Sequence, residues 1–237
     1  MPFAPFMGAM VAAAAPPVSG PYLGSFLTPA ATASFDFTVD LGPPDPSRVI
    51  LVYQQLWSTA PGWSTGRAGG VTINGVALVA AGAAAINDAW AATAARPWSG
   101  VVPTGGLVQG TAVTGAPDTS PMMMLISVYR FTNLVQQTAR QNVASATSGG
   151  DQTDPRSLTI NGVANGYLVA AYTAGGPYTP RNPINGLSPV NLDYAYTDVS
   201  QAWIGSMPTP SAGPVTIQGS LAAPGNVHQI LNAVSFA

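Results

Sequence analysis

The sequence predicts an all-β protein, and three observations carry that prediction. The 237-residue chain holds nine Asp and seven Arg but no Glu and no Lys, the residues that ordinarily clothe the solvent face of helices. It is rich in turn formers, with 26 Gly and 23 Pro. Val71-Thr72-Ile73-Asn74-Gly75-Val76 sets Asn-Gly between apolar-alternating runs, the strongest short-range signal for a two-residue hairpin. The architecture expected is a two-sheet antiparallel β-sandwich over residues 33–237, preceded by an apolar N-terminal arm at residues 1–32.

The arm is expected because neither Arg nor Lys occurs before Arg48, which leaves a signal peptide without its basic region. Phe3, Phe6, Met7, Tyr22, Leu23 and Phe26 give this Pro-punctuated segment apolar area to bury in an assembly, unlike the polar composition of disorder. Ser34 to Asp40 alternates polar with apolar at period 2, as a half-buried strand should. Arg48 to Trp57 (RVILVYQQLW) is a dense run free of Gly and Pro that suits a central strand. Ser58 to Gly70 reads as a long exposed loop. Residues 86–95 are expected as strand, although their Ala content also suits a helix. Further strands are expected at Leu107–Thr114, Met122–Leu134, Gln141–Ala146, Ser157–Ile160, Tyr167–Tyr172, Leu192–Tyr196, Ala202–Met207, Val215–Ser220 and Val227–Phe236. Leu158-Thr159-Ile160-Asn161-Gly162-Val163 repeats the first hairpin signal, and recurrent turn chemistry is preferred over an internal duplication as its explanation.

Only 7% of residues are charged while 47% are hydrophobic, so much of the apolar surface is expected to lie against other subunits. Seven Arg set against nine Asp cannot form the basic footprint that phosphate neutralisation needs, which excludes nucleic acid as a partner. No uninterrupted apolar run reaches the length of a membrane-spanning helix. The absence of Cys closes thiol catalysis, disulfides and Cys-built zinc sites, and no cofactor or metal is expected.

The single histidine, His228, lies in a strand pattern, and no G-x-S-x-G elbow accompanies it, so it is read as a polar strand residue rather than a catalyst. Asp151 and Asp154 fit a polar turn better than a Ca²⁺ site or a glycosidase pair, and Asp193 and Asp198 are read the same way. Aromatic residues in loops are the best candidates for ligand contact, because sugar C–H faces stack on Trp and Tyr. Trp63 and Trp98 lie in Gly/Pro/Ser-rich stretches and are the expected glycan contacts, with Tyr178 and Arg181 beside them; filling subunit interfaces is an equal alternative for all of them. Trp57, Trp90 and Trp203 are expected in the core.

Taken in order, RVILVYQQLW, VTINGV, DAWAA, VVPTGG leading into LVQGTAVTG, MLISVYRFTNL, and later SLTINGV with NGYLVAAYTAGG, resemble jelly-roll β-sandwich domains of tailed-phage and gene-transfer-agent virion proteins. The resemblance covers about residues 33–237. It implies a homo-oligomeric head spike, fibre or decoration subunit of the virion, assembled in the host cytoplasm beside other virion proteins and able to meet host-surface polysaccharide. That family has no shared catalytic residues to carry over, so no enzymatic activity is expected. The alternatives are a polysaccharide-active hydrolase or a free lectin-like module on a similar sandwich, since function resides in sites rather than folds.

Overall fold

Nine consecutive buried residues, Val49–Trp57, show how the chain is layered. A strand with one face in water alternates; one buried throughout has protein on both faces. In the computed structural model this segment is the middle of a sheet sandwiched between two others. The structure describes residues 21–57, 67–87, 93–115, 122–134, 141–148, 156–175, 185–197, 201–220 and 228–237, and among these there is no helix. The chain is all-β and antiparallel, as the sequence predicts.

The first half contributes β1 (Tyr22–Leu27), β2 (Ser34–Asp40), β3 (Val49–Trp57), β4 (Arg67–Ile73), β5 (Val76–Ala77), β6 (Val79–Ala80), β7 (Ala85–Asn87), β8 (Thr93–Val101), β9 (Leu107–Gly115) and β10 (Met123–Phe131). The second contributes β11 (Gln141–Ser148), β12 (Arg156–Gly162), β13 (Gly166–Gly175), β14 (Asn185–Ser188), β15 (Asn191–Thr197), β16 (Gln201–Thr209), β17 (Gly213–Ser220) and β18 (His228–Phe236). They form four sheets rather than two. Inner sheets run β1-β10-β3-β8-β6, with β7 also on β8, and β11-β18-β13-β16-β15. Outer sheets run β2-β9-β4-β5 and β12-β17-β14. The two halves thus repeat one strand order: the first strand pairs with the last, the last with the third, and the second with the penultimate.

Three cores separate the four layers. Ile50, Val52, Leu56, Met124, Ile126 and Val128 turn from the first inner sheet toward Phe37, Val39, Val71, Ile73 and Val108 of its outer sheet. Leu168, Ala170, Tyr172, Trp203 and Leu231 do the same toward Leu158, Ile160 and Ile217 in the second half. The alternate residues of the inner strands meet in a third core, where Val49, Leu51, Tyr53, Tyr129 and Phe131 pack against Val169, Ala171, Ile204, Ile230, Val234 and Phe236. Phe131 and Phe236 sit ring on ring there, with centroids 4.8 Å apart. Two polar side chains of this layer, Tyr53 and Gln55, hydrogen-bond across the halves. Tyr53 Oη donates to Asn232 Oδ1 at 2.8 Å, and Gln55 Nε2 donates to Tyr172 O, Thr173 Oγ1 and Trp203 O at 3.0, 2.8 and 3.1 Å.

Several sequence expectations change in detail. Tyr22, Leu23 and Phe26 are not outside the sandwich: β1 pairs with β10, and Leu23 and Phe26 pack against the first core. This strand escapes pattern reading because all six of its residues are half-buried at a sheet edge and its register slips between Tyr22 and Gly24. Of the strand expected at 86–95, residues 86–87 fall in β7 and 93–95 in β8, and residues 88–92 lie outside the described residues. β8 runs straight through Pro97. Ala81 N donates to Pro97 O, so Pro97 turns its backbone to the gap between β6 and β7, where no ladder bond is lost for want of its N–H.

The first Asn-Gly is the expected turn, with φ of 49° at Asn74 and 76° at Gly75 between β4 and β5. The second is not. Asn161 and Gly162 lie within β12, opposite Pro214 and Gly213. The chain reverses later, where Gly166 N donates to Val163 O and Asn165 takes a φ of 56°. The two six-residue matches therefore occupy different places in the halves, and the repetition of the fold does not come from them.

Candidate functional site

β5 covers only the Thr72–Ile73 end of β4, which leaves the Gly-Gly stretch of β4 as an open sheet edge above β8. The gap is an open groove of about 280 Å³ lined by Gly69, Gly70, Val71, Thr72, Ala77, Leu78, Trp98, Thr111 and Val113. Trp98 forms part of its lining although the residue is only 7% exposed. Its Nε1 donates to Gln54 Oε1 at 3.1 Å, Gln54 Nε2 donates to Val113 O at 2.8 Å, and the Arg96 guanidinium sits 4.6 Å from the indole centroid. The indole is therefore fixed, with a cation over its face. Thr111 Oγ1 donates to Asp36 Oδ1 at 2.6 Å on the outer wall. An apolar floor with hydroxyl-bearing walls suits binding.

Of the residues the sequence singles out as glycan contacts, Trp98 alone is described, and it is a strand residue rather than a loop residue. Trp63, Tyr178 and Arg181 lie outside the described residues, as do Phe3, Phe6, Met7, Trp90, Asp151, Asp154 and Asp198. Trp57 and Trp203 are core residues as expected, each 1% exposed. His228 opens β18 opposite Gly175, whereas Ser206 pairs with Val169, six residues along β13. At about 3.3 Å per residue these two are separated by roughly 20 Å, too far to act together.

Asp193 is not in a turn. It lies in β15, where its Oδ2 accepts from Tyr129 Oη at 2.7 Å and Ser206 Oγ at 2.6 Å, tying the two halves together. Burial, and then the Asp193 charge, push the Tyr129 hydroxyl well above its ordinary pKa. Among the described residues no group of His, Asp or Glu could hold a metal ion.

A second cluster lies where β3 begins and β10 ends. Arg48 Nη1 and Arg130 Nη1 both donate to Leu41 O, the latter at 3.0 Å, and Arg48 Nη2 donates to Pro43 O at 2.9 Å. Gly42, at φ 71°, leaves the space into which the Arg130 guanidinium fits, since a Cβ there would collide with Nη1. Burial lowers the Arg48 pKa, and the Arg130 charge lowers it further against the opposing pull of Asp45. Sequence reading missed this pair. The signal was there: each arginine sits at one end of a long apolar run, and antiparallel pairing, with Arg130 opposite Ile50, brings those ends together.

Comparison with family models, with curated proteins and with solved structures gives no match, so the geometry alone carries the functional reading.

Proposed function

We propose that this protein is a non-enzymatic structural subunit of a virus particle, of the spike, fibre or decoration type. One observation carries the reading: two successive units share a strand order in which the first strand pairs with the last and the second with the penultimate. That is the order produced when a long hairpin rolls up into a jelly roll, an architecture used by viral capsid and lectin domains. Stacked back to back, two such units make a stiff block whose outer faces present uncharged Ser157, Thr159, Asn161, Thr216 and Gln218 on one side. On the other side they present Ser34, Asp36, Thr38 and Asp40. Residues 1–20, preceding β1, keep the role of an assembly arm in this reading, with copies of the chain and other particle proteins as partners.

Mass spectrometry of particles purified on a density gradient tests it. The full chain should co-migrate with them at fixed stoichiometry, and a chain lacking residues 1–20 should fold but fail to incorporate. Recovery only in the soluble fraction, or normal incorporation of the shortened chain, would contradict the proposal.

The open groove beside Trp98 supports an attached role in glycan contact. Trp98→Ala is a poor test, because removing a buried indole costs about 3–5 kcal/mol of stability. Filling the groove with Thr111→Arg should instead abolish polysaccharide binding while leaving the fold intact; unchanged binding would place the glycan site elsewhere. Reducing sugar released from a host polysaccharide, and lost on changing Asp151 or Asp154, would favour the hydrolase alternative.

A further inference from the structure

We propose that the Arg48–Arg130 pocket is an oxyanion site that takes the acidic group of a sugar such as a hexuronate. The pocket is open, about 320 Å³ in volume, and lined by Pro43, Pro44, Asp45, Pro46, Arg48, Arg130 and Thr132. That size exceeds a bare inorganic ion and lies at the lower end of small-ligand sites.

Two guanidiniums converge on it, and the nearby Asp45, which acts on Arg48 through its charge, hydrogen-bonds to Ser47 instead of to either. Arg48 is fully buried with Nη1 and Nη2 donating to the Leu41 and Pro43 carbonyls, so it acts on the pocket through its charge, while the half-buried Arg130 is the guanidinium a ligand can touch. Asp45 is the one carboxylate in the lining, but its Oδ1 accepts from Ser47 N and Ser47 Oγ, each at 2.8 Å, rather than from an arginine. Like charges brought together in a partly dry pocket repel, and an arriving anion relieves that repulsion. A guanidinium is also the group best shaped for bidentate contact with a carboxylate or sulfate. The three proline rings supply an apolar wall for the sugar's C–H face, and Thr132 a hydroxyl for one of its oxygens.

This assignment does not depend on the particle reading, which the test leaves untouched. Isothermal titration at physiological ionic strength, with sodium glucuronate, sodium sulfate and glucose as separate probes, decides it. Saturable binding of glucuronate but not glucose is expected, weakened at least about tenfold in Arg130→Gln and partly retained in Arg130→Lys. Pro46→Asp, which offers the arginines an internal carboxylate without removing either, should weaken binding as well and covers the case in which Arg130→Gln does not fold. Binding of sulfate without glucuronate would overturn the sugar assignment and leave an inorganic anion site. No binding of either anion, equal binding of glucose, or glucuronate affinity unchanged in the folded variants would overturn the site itself.

Discussion

β2 and β3 are neighbours in sequence yet sit in different layers, and their residues differ accordingly. β2, SFDFTVD, alternates strictly, with Phe37 and Val39 buried and Asp36, Thr38 and Asp40 exposed. β3, VILVYQQLW, is buried at every position. The same contrast separates β12 from β13 in the second half, where Leu158 and Ile160 alternate with exposed Ser157 and Thr159, while Leu168–Ala174 are buried throughout. Strand pattern therefore encodes layer. It also explains the composition. A chain that is 47% hydrophobic with few charges looks short of places to put its apolar surface. Three stacked cores absorb it, and the large hydrophobic side chains exposed among the described residues are the scattered Val79, Leu107, Val113 and Leu192.

The contrast can be broken most severely in the middle layer. Phe131→Ala, which removes a ring packed on Phe236 and Tyr167, should cost about 3–5 kcal/mol in denaturant unfolding. A loss below about 1 kcal/mol would mean that the two halves are not packed as described. Next comes Gln55→Ala, which strips three hydrogen bonds spanning the halves and should cost about 1–3 kcal/mol. At the other extreme, Thr216→Ala on the outer face, where Thr159 and Thr216 hydroxyls lie 3.0 Å apart, should stay within about 0.5 kcal/mol.

Alkaline pH sharpens the same comparison. Burial raises the Tyr53 hydroxyl well above its ordinary pKa, and burial with the Asp193 charge does so for Tyr129; both tyrosines belong to the middle core. Above about pH 10 the unfolded chain releases these protons while the folded chain keeps them, so stability is full below that pH and falls as pH rises. Tyrosinate absorbance should appear together with unfolding for these two residues. Titration of both near pH 10 in the folded protein would show the middle layer to be wet.

Much of the fold was legible because burial on one face or two writes itself into side-chain period. β2 matches its predicted bounds, and the interior of β3 was plain from an unbroken apolar run. What was not legible depended on contacts between distant segments. Two sheets were expected where four exist, since a run buried on both faces does not say which second sheet covers it. β1 and the Pro97 segment of β8 broke local rules that their neighbours compensate. Trp98, read as a loop residue for the same reason, lines a groove only because β5 is too short to cover β4. The Arg48–Arg130 pair became visible only with the antiparallel pairing of β3 and β10.

The middle core makes one unit of two repeated sandwiches, and separating the halves puts this to the test. Residues 21–134 and 135–237 would be produced apart and then mixed, with association followed by sedimentation and near-ultraviolet circular dichroism. Each half alone would expose the inner face that carries Leu51, Tyr53 and Phe131, or Val169, Ile204 and Phe236. Each should therefore aggregate or lack fixed tertiary structure, and the mixture should form a one-to-one complex with the spectrum of the intact chain. Two halves that each remain folded, monomeric and indifferent to one another would mean that the middle core does not join them.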